Sequence, residues 1–268
     1  MIVTLLAVLL QTPNTSPAVL MPLDKWSVDY GNTGCSLARS FGDEAAPVTL
    51  RFTPASLDGF TTIVLDAPAG NARQRQTGTA MLQFQPENRT LTADYMSPEQ
   101  RDENHRAVAI RLIGQEIGVW RGVERLAISL DKSPPLTVEL KGMPTAISAL
   151  QKCQDDLLRD WQVDPGEVSN IAVNPKLVSD LGEIFDPKYL RNGLPKGELL
   201  RVNMLFTVGS YGSVSACRVI ETSGQDALDT ATCALSIGRI RYRPARDKSD
   251  RPMVSHAVLA VRWPSPPE

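Results

Sequence analysis

The chain has 268 residues, 42% of them hydrophobic and 22% charged, with a formal net charge of -2. That length accommodates one large or two ordinary globular domains, with apolar material for a core in each. The near-neutral balance excludes a global electrostatic drive toward nucleic acid or anionic lipid.

The first residues, "MIVTLLAVLLQTPNTSPAVL", hold an apolar run over 2–10 that only Thr4 interrupts. It has the length of a signal-peptide hydrophobic region and falls far short of the roughly 20 residues that cross a bilayer. Ser16-Pro17-Ala18 supplies small residues for cleavage, so 1–18 reads as a signal peptide, although no Lys or Arg precedes the run. The mature chain is then expected in the bacterial periplasm, an oxidising compartment, with no transmembrane helix.

Residues 19–162 read as a mixed, β-rich N-terminal domain. "WSVDY", "CSLARSF", "VTLRFTP", "TTIVLDA" and "TAMLQFQ" are short runs with alternating or β-branched apolar residues, separated by turn residues such as Gly31, Asn32, Asp58-Gly59 and Gly70-Asn71. "HRAVAIRLIG" and "PLTVELKG" add two more strands, and the charged run "PEQRDENHR" at 98–106 reads as a solvated loop. Beyond Pro144 the period changes. Ala146, Ile147, Leu150, Cys153, Leu157 and Leu158 recur at helical spacing, with Thr145 as the N-cap. Over 163–184 the periodicity fades and prolines recur, as in a linker.

The last unit, 185–268, resolves into a β-β-α-β order. Leu200, Val202, Met204 and Phe206 alternate along one strand, "GSYG" is a turn, and "SVSACRVIE" returns. Ser223-Gly224 breaks that strand, and Leu228, Ala231, Thr232 and Leu235 then repeat at helical spacing. In "GRIRYRPAR", Ile240 and Tyr242 alternate with Arg239, Arg241 and Arg243, and a final strand runs over 253–263. The fold class expected for the whole chain is α+β: an antiparallel β domain ending in a helix, followed by the β-β-α-β domain.

The four cysteines, Cys35, Cys153, Cys217 and Cys233, allow three pairings. Cys35 lies in an early strand and Cys153 on the inward face of the helix, so a bridge between them would staple the first domain end to end. Cys217 lies on a strand and Cys233 on the helix that follows it. Closing that loop stabilises a small domain by about 3 kcal/mol in the chain-entropy model. There is no Cys-x-x-Cys, and the two histidines, His105 and His256, are far apart in sequence, which argues against a metal site.

The segment 185–263 resembles the TonB C-terminal domain family. The residues that carry the resemblance are Pro187 with Arg191 and Gly193, then "LFTVGSYGSVSACRVIETSG", Leu228-Asp229, "YRPAR", Pro252 and "AVLAVRW". Several members of that family also carry a cysteine pair like Cys217 and Cys233. The resemblance implies a small sheet whose exposed edge captures an extended peptide, the TonB box of an outer-membrane transporter, by β-augmentation. Transferred to this chain, the capturing edge is the last strand, with Val254, His256, Val258, Ala260 and Arg262 along it. Arg239, Arg241 and Arg243 are read as contacts for an acidic partner. The chain differs from a force-transducing TonB protein in its short N-terminal run, in a globular domain where a Pro-rich spacer would stand, and in Asp186-Pro187 where the family has Tyr-Pro.

No nucleophile elbow, phosphate-binding loop, dinucleotide fingerprint or His-Glu-x-x-His occurs. Asp155 and Asp156 are adjacent on the helix and point in different directions. The expectation is therefore a binding protein without catalytic, cofactor-binding or metal-binding residues. In the alternative reading the C-terminal domain is structural or accessory, and the first domain has its own ligand or a hydrolytic activity. A deep polar pocket containing His105 would favour that alternative.

Overall fold

Alternating inward apolar side chains build a continuous β wall from the first half of the chain. A computed structural model describes residues 18–68, 75–98, 105–113, 117–131, 134–186 and 200–263. The signal-like segment, Pro187, Arg191, Gly193 and most of the charged run at 98–106 lie outside these residues. Ten strands form one curled sheet: β1 (Val19–Leu20), β2 (Ser27–Gly31), β3 (Gly34–Asp43), β4 (Ala46–Pro54), β5 (Phe60–Pro68), β6 (Gln76–Gln85), β7 (Arg89–Ser97), β8 (His105–Ile113), β9 (Arg125–Leu130) and β10 (Leu136–Glu139). Their order in space is β1-β10-β9-β6-β7-β8-β5-β4-β3-β2.

The sheet closes on itself through the chain that leaves β1. Pro22 bridges Phe41 of β3, the Gly42 amide donates to the Met21 carbonyl at 2.9 Å, and the Leu23 amide donates to the Ser40 carbonyl at 3.0 Å. These contacts join the β1 end of the sheet to β3, while among the described residues β2 pairs on one side only. Leu37, Leu50, Phe52, Ile63, Leu82, Phe84, Ile110 and Leu126 fill the interior, each essentially inaccessible to solvent. Trp120, in a short 3-10 turn (Ile117–Trp120), stands edge-on between Phe52 and Phe84 at centroid distances of 4.8 and 4.9 Å.

Helix α1 (Met143–Asp160) lays Met143, Ile147, Leu150, Cys153, Leu157 and Leu158 into the same core. It begins before the expected Thr145 cap. Gly142, with φ of 81°, is the N-cap residue, and Pro144 sits in the first turn, where its missing N–H is no loss. Cys153 is bonded to Cys35 of β3, joining residues 118 apart in sequence.

The stretch 163–184 forms ordered elements. Helix α2 (Pro165–Ser169) is capped by Asp164, whose carboxylate accepts from the Gly166 amide at 2.9 Å. Then follow β11 (Ile171–Val173), β12 (Lys176–Leu177) and α3 (Leu181–Ile184). β11 pairs with β16 (Ala245–Asp247) and β12 with β15 (Tyr242–Arg243), which laces this stretch onto the C-terminal unit.

That unit is built on β13 (Leu200–Val208), β14 (Val214–Glu221), α4 (Asp226–Ser236) and β18 (Ser255–Trp263). The strands form a three-stranded sheet in the order β14-β13-β18, and a short β17 (Pro252–Met253) pairs with β16. Val202, Met204, Phe206, Val261 and Trp263 face α4 and form the second core. Trp263 donates its indole N–H to the Thr232 hydroxyl at 3.0 Å. Cys217 on β14 is bonded to Cys233 on α4, pinning the helix to the sheet. Gly212 closes the β13–β14 turn with φ of +81°, and a Cβ there would lie 1.9 Å from the Tyr242 carbonyl oxygen. The close approach of the chain at Tyr242 thus requires glycine at this position.

The expected α+β class is overturned. Among the described residues the chain is mostly β, with eighteen strands against four α-helices, of which only α1 and α4 exceed five residues. The difference has a physical source. β7 shows solvent a polar face of Thr90, Thr92 and Asp94, so its inward Leu91, Ala93 and Tyr95 make a weak pattern in sequence. β11, β12, β15, β16 and β17 are two or three residues long, too short for a period to register.

Candidate functional site

β18 is one of the two edge strands of its sheet, β14 being the other. Nine of its residues pair with β13, from Ser255 opposite Val208 to Trp263 opposite Leu200. Among the described residues no strand pairs with its other side. Such an edge carries a row of backbone N–H and C=O groups that another extended chain can complete. The strand is also well held. Ala257, Val261 and Trp263 are buried against the α4 side, which fixes the register of the ladder.

The opposite face of this sheet is partly occupied by the chain's own first unit. Leu205 of β13 belongs to the first core, and Ile220 and Val258 pack against it. Arg218 of β14 donates to the Trp161 carbonyl at the end of α1. His256 is half-buried here, and burial lowers its pKa below the usual histidine value; Glu167 of α2 opposes this shift and Arg218 adds to it. The sequence-derived edge residues therefore divide into three groups. His256 and Val258 are half-buried toward the first unit, Ala260 and Arg262 are exposed, and Val254 lies between β17 and β18 and is exposed.

The three arginines of "GRIRYRPAR" do not line β18. They alternate with the buried Ile240 and Tyr242 and are exposed. Ser213 bridges Arg241, which places the row beside the β13–β14 turn. The Arg241 amide donates to the Ser179 hydroxyl at 2.8 Å, and Arg243 stands opposite Lys176 in the β12–β15 ladder. Arg239 lines a cavity with Asp180, Glu183 and Asp186, so acidic side chains of this same chain surround it. Burial, with Asp58 nearby, raises the Tyr242 pKa and keeps that hydroxyl protonated.

Asp229 is the polar centre of the C-terminal unit. It is 7% exposed, and its carboxylate accepts from the Ser223 amide at 3.0 Å, the Ser223 hydroxyl at 2.7 Å and the Thr222 hydroxyl. The Gly224 amide donates in turn to the Thr222 hydroxyl at 2.9 Å. The Ser-Gly turn and the Leu-Asp pair at the start of α4 are thus two halves of one hydrogen-bonded closure. In the sequence they appear only as separate landmarks.

His105, the other histidine, is exposed at the start of β8, with its Nδ1 3.5 Å from Asp66 Oδ1. It lines none of the cavities described here. On the outer face of the first unit an open hollow of about 730 Å³ is lined by Thr62, Thr79, Asp94, Met96, Ala109 and Arg111, among others. Among the described residues no group of three or more His, Cys, Asp or Glu could hold a metal ion. No described helix is long and apolar enough to cross a membrane. No protein-family model, curated protein or solved structure matches the chain.

Proposed function

We propose that this protein is a periplasmic, TonB-like binding module that captures an extended peptide or envelope protein along β18, in a role connected with TonB-dependent transport. The observation that carries the reading is the position of β18: a nine-residue ladder on one side and no strand on the other among the described residues. In β-augmentation, main-chain hydrogen bonds supply affinity, and side-chain contacts along the strand supply choice. The sequence resemblance contributes the kind of partner, a TonB-box peptide. The two disulfides fit an exported chain in an oxidising compartment. The back of the sheet rests on the first unit through Leu205 and Val258, which supports a binding role for the free edge.

The test is a fluorescence-anisotropy titration with TonB-box peptides and with copies N-methylated at alternate amides. Micromolar binding that the N-methylated copies lose supports strand capture. Equal binding by both forms would leave main-chain pairing without support.

A second reading has the open hollow between Thr62, Asp94 and Arg111 as a ligand site of the first unit, with the C-terminal unit accessory to it. Its volume lies in the range of small-molecule sites. A small-molecule thermal-shift screen with substitutions at Asp94 and Met96 tests this reading independently of β18.

A further inference from the structure

The register of the β13–β18 ladder puts Arg201 directly opposite Arg262. Both are exposed, and both lie on the face of the sheet turned away from α4, where Ala260 and Asn203 form the next pair. Directly opposed residues of an antiparallel pair have their Cβ atoms about 4.5–5.5 Å apart, and like charges there repel. Among the described residues neither guanidinium has a carboxylate partner. Arg201 donates through Nε to Asn203 Oδ1 at 3.0 Å, and among the described residues no side-chain hydrogen bond or ion pair reaches the Arg262 guanidinium. Glu221, the nearest acid in the ladder, is taken up by the Asn203 amide. The chain therefore holds two positive charges side by side at one end of its edge strand, against a single neighbouring carboxylate, Glu221, that is linked to Arg201 only through Asn203. The Arg239 row at the other end of the sheet has acids of its own around Arg239.

We infer that Arg201 and Arg262 form a carboxylate-recognition pair, and that the strand captured along β18 carries an acidic side chain beside them. This inference rests on the strand-capture reading and adds the chemistry of the partner. A peptide strand paired with β18 places one residue next to Arg262 on the same face. An Asp or Glu there relieves the Arg–Arg repulsion and accepts charge-assisted hydrogen bonds from both guanidinium groups. A basic residue there meets two like charges. The pair thus selects both partner and register, since sliding the peptide by one residue turns its carboxylate to the other face.

The experiment uses the full mature, oxidised protein and three Val/Thr-rich nonapeptides that differ at one position, Asp, Asn or Lys. Binding is measured by anisotropy at about 50 mM and 500 mM salt, against the wild type, Arg262→Gln and Arg201→Gln. The wild type is expected to prefer the Asp peptide over the Asn peptide by about three- to tenfold at low salt. Salt screening at 500 mM shrinks that preference, and either substitution removes most of it. Both arginines are exposed, so the substitutions leave the fold intact, which circular dichroism checks. Equal binding of the Asp and Asn peptides to the wild type overturns the inference and leaves strand capture standing. Binding of none of the three removes strand capture and the inference together. Adsorption of the protein to phosphatidylglycerol vesicles through the same two arginines, without a peptide preference, also overturns it by assigning the pair to a lipid surface.

Discussion

Replacing Asp229 by Ala isolates the closure that ties the Ser-Gly turn to α4. The wild-type carboxylate is 7% exposed and accepts from the Thr222 hydroxyl, the Ser223 amide and the Ser223 hydroxyl. Hydrogen bonds to a charged group contribute about 1.5–3 kcal/mol each, but they share one acceptor group and are not additive. Asp229 also lies in the first turn of α4, where a negative charge adds about 0.3–1 kcal/mol. Allowing water to reach the freed donors, the expected net loss for Asp229→Ala is about 2–4 kcal/mol. Asp229→Asn keeps an acceptor and loses only the charge, so about half of that loss is expected. Urea unfolding of the oxidised proteins measures the difference, and amide exchange over 214–236 localises it. A loss below about 0.5 kcal/mol for the Ala variant would refute the assignment, because surface substitutions without special partners fall in that range.

The two disulfides should differ in effect and in access. Cys35 and Cys153 are each 1% exposed and close the longer loop, so their double Ala variant should lose about 5 kcal/mol by chain entropy, against about 3 kcal/mol for Cys217 and Cys233. The half-buried Cys217–Cys233 bond should also be reduced first in a dithiothreitol titration followed by mass spectrometry. The reverse order would contradict the packing described. Gly212→Ala should lose 3 kcal/mol or more, on the order of a severe overpacking clash, because a Cβ there meets the Tyr242 carbonyl; a shift within about 0.5 kcal/mol in urea would refute the close approach. His256 has a folded pKa below its unfolded value of 6.5, so unfolding takes up a proton as pH falls through this range. Its contribution to stability is therefore present above pH 6.5 and is lost as pH falls through the folded pKa. His256→Gln should flatten the difference in urea midpoint between pH 5 and pH 8, and an unchanged difference would refute it.

Much of the wall of the first unit is legible in the sequence, because β4 and β6 alternate in burial along their length and β3 and β5 carry dense apolar or β-branched runs. α1 is legible for the same reason at the helical period, since its buried residues from Ala146 to Leu158 are strongly apolar. The short strands of 171–177 and 242–253 are not, because they are held by pairing across the chain and carry no period of their own. The positions of Cys35, Cys153, Cys217 and Cys233 on facing elements can be read from strand and helix patterns, and the structure joins them in those pairs. The acidic-partner contact is different. The row of Arg239, Arg241 and Arg243 stands out in sequence because its members are close together. Arg201 and Arg262 are distant in sequence and become neighbours only through the register of β13 and β18. The packing of Val258 and His256 toward the first unit is equally invisible, since it depends on which face of the sheet that unit covers.

The central claim is that β18 offers an uncovered edge, and amide hydrogen exchange in the free, oxidised protein tests it most directly. In an antiparallel edge strand, N–H groups point alternately to the neighbour and away from it. Over 255–263 the account predicts alternating slow and fast exchange, the fast amides slowing when a strand-forming peptide is bound. Uniformly slow exchange in the free protein would mean that the edge is already paired, and would contradict the proposed capture.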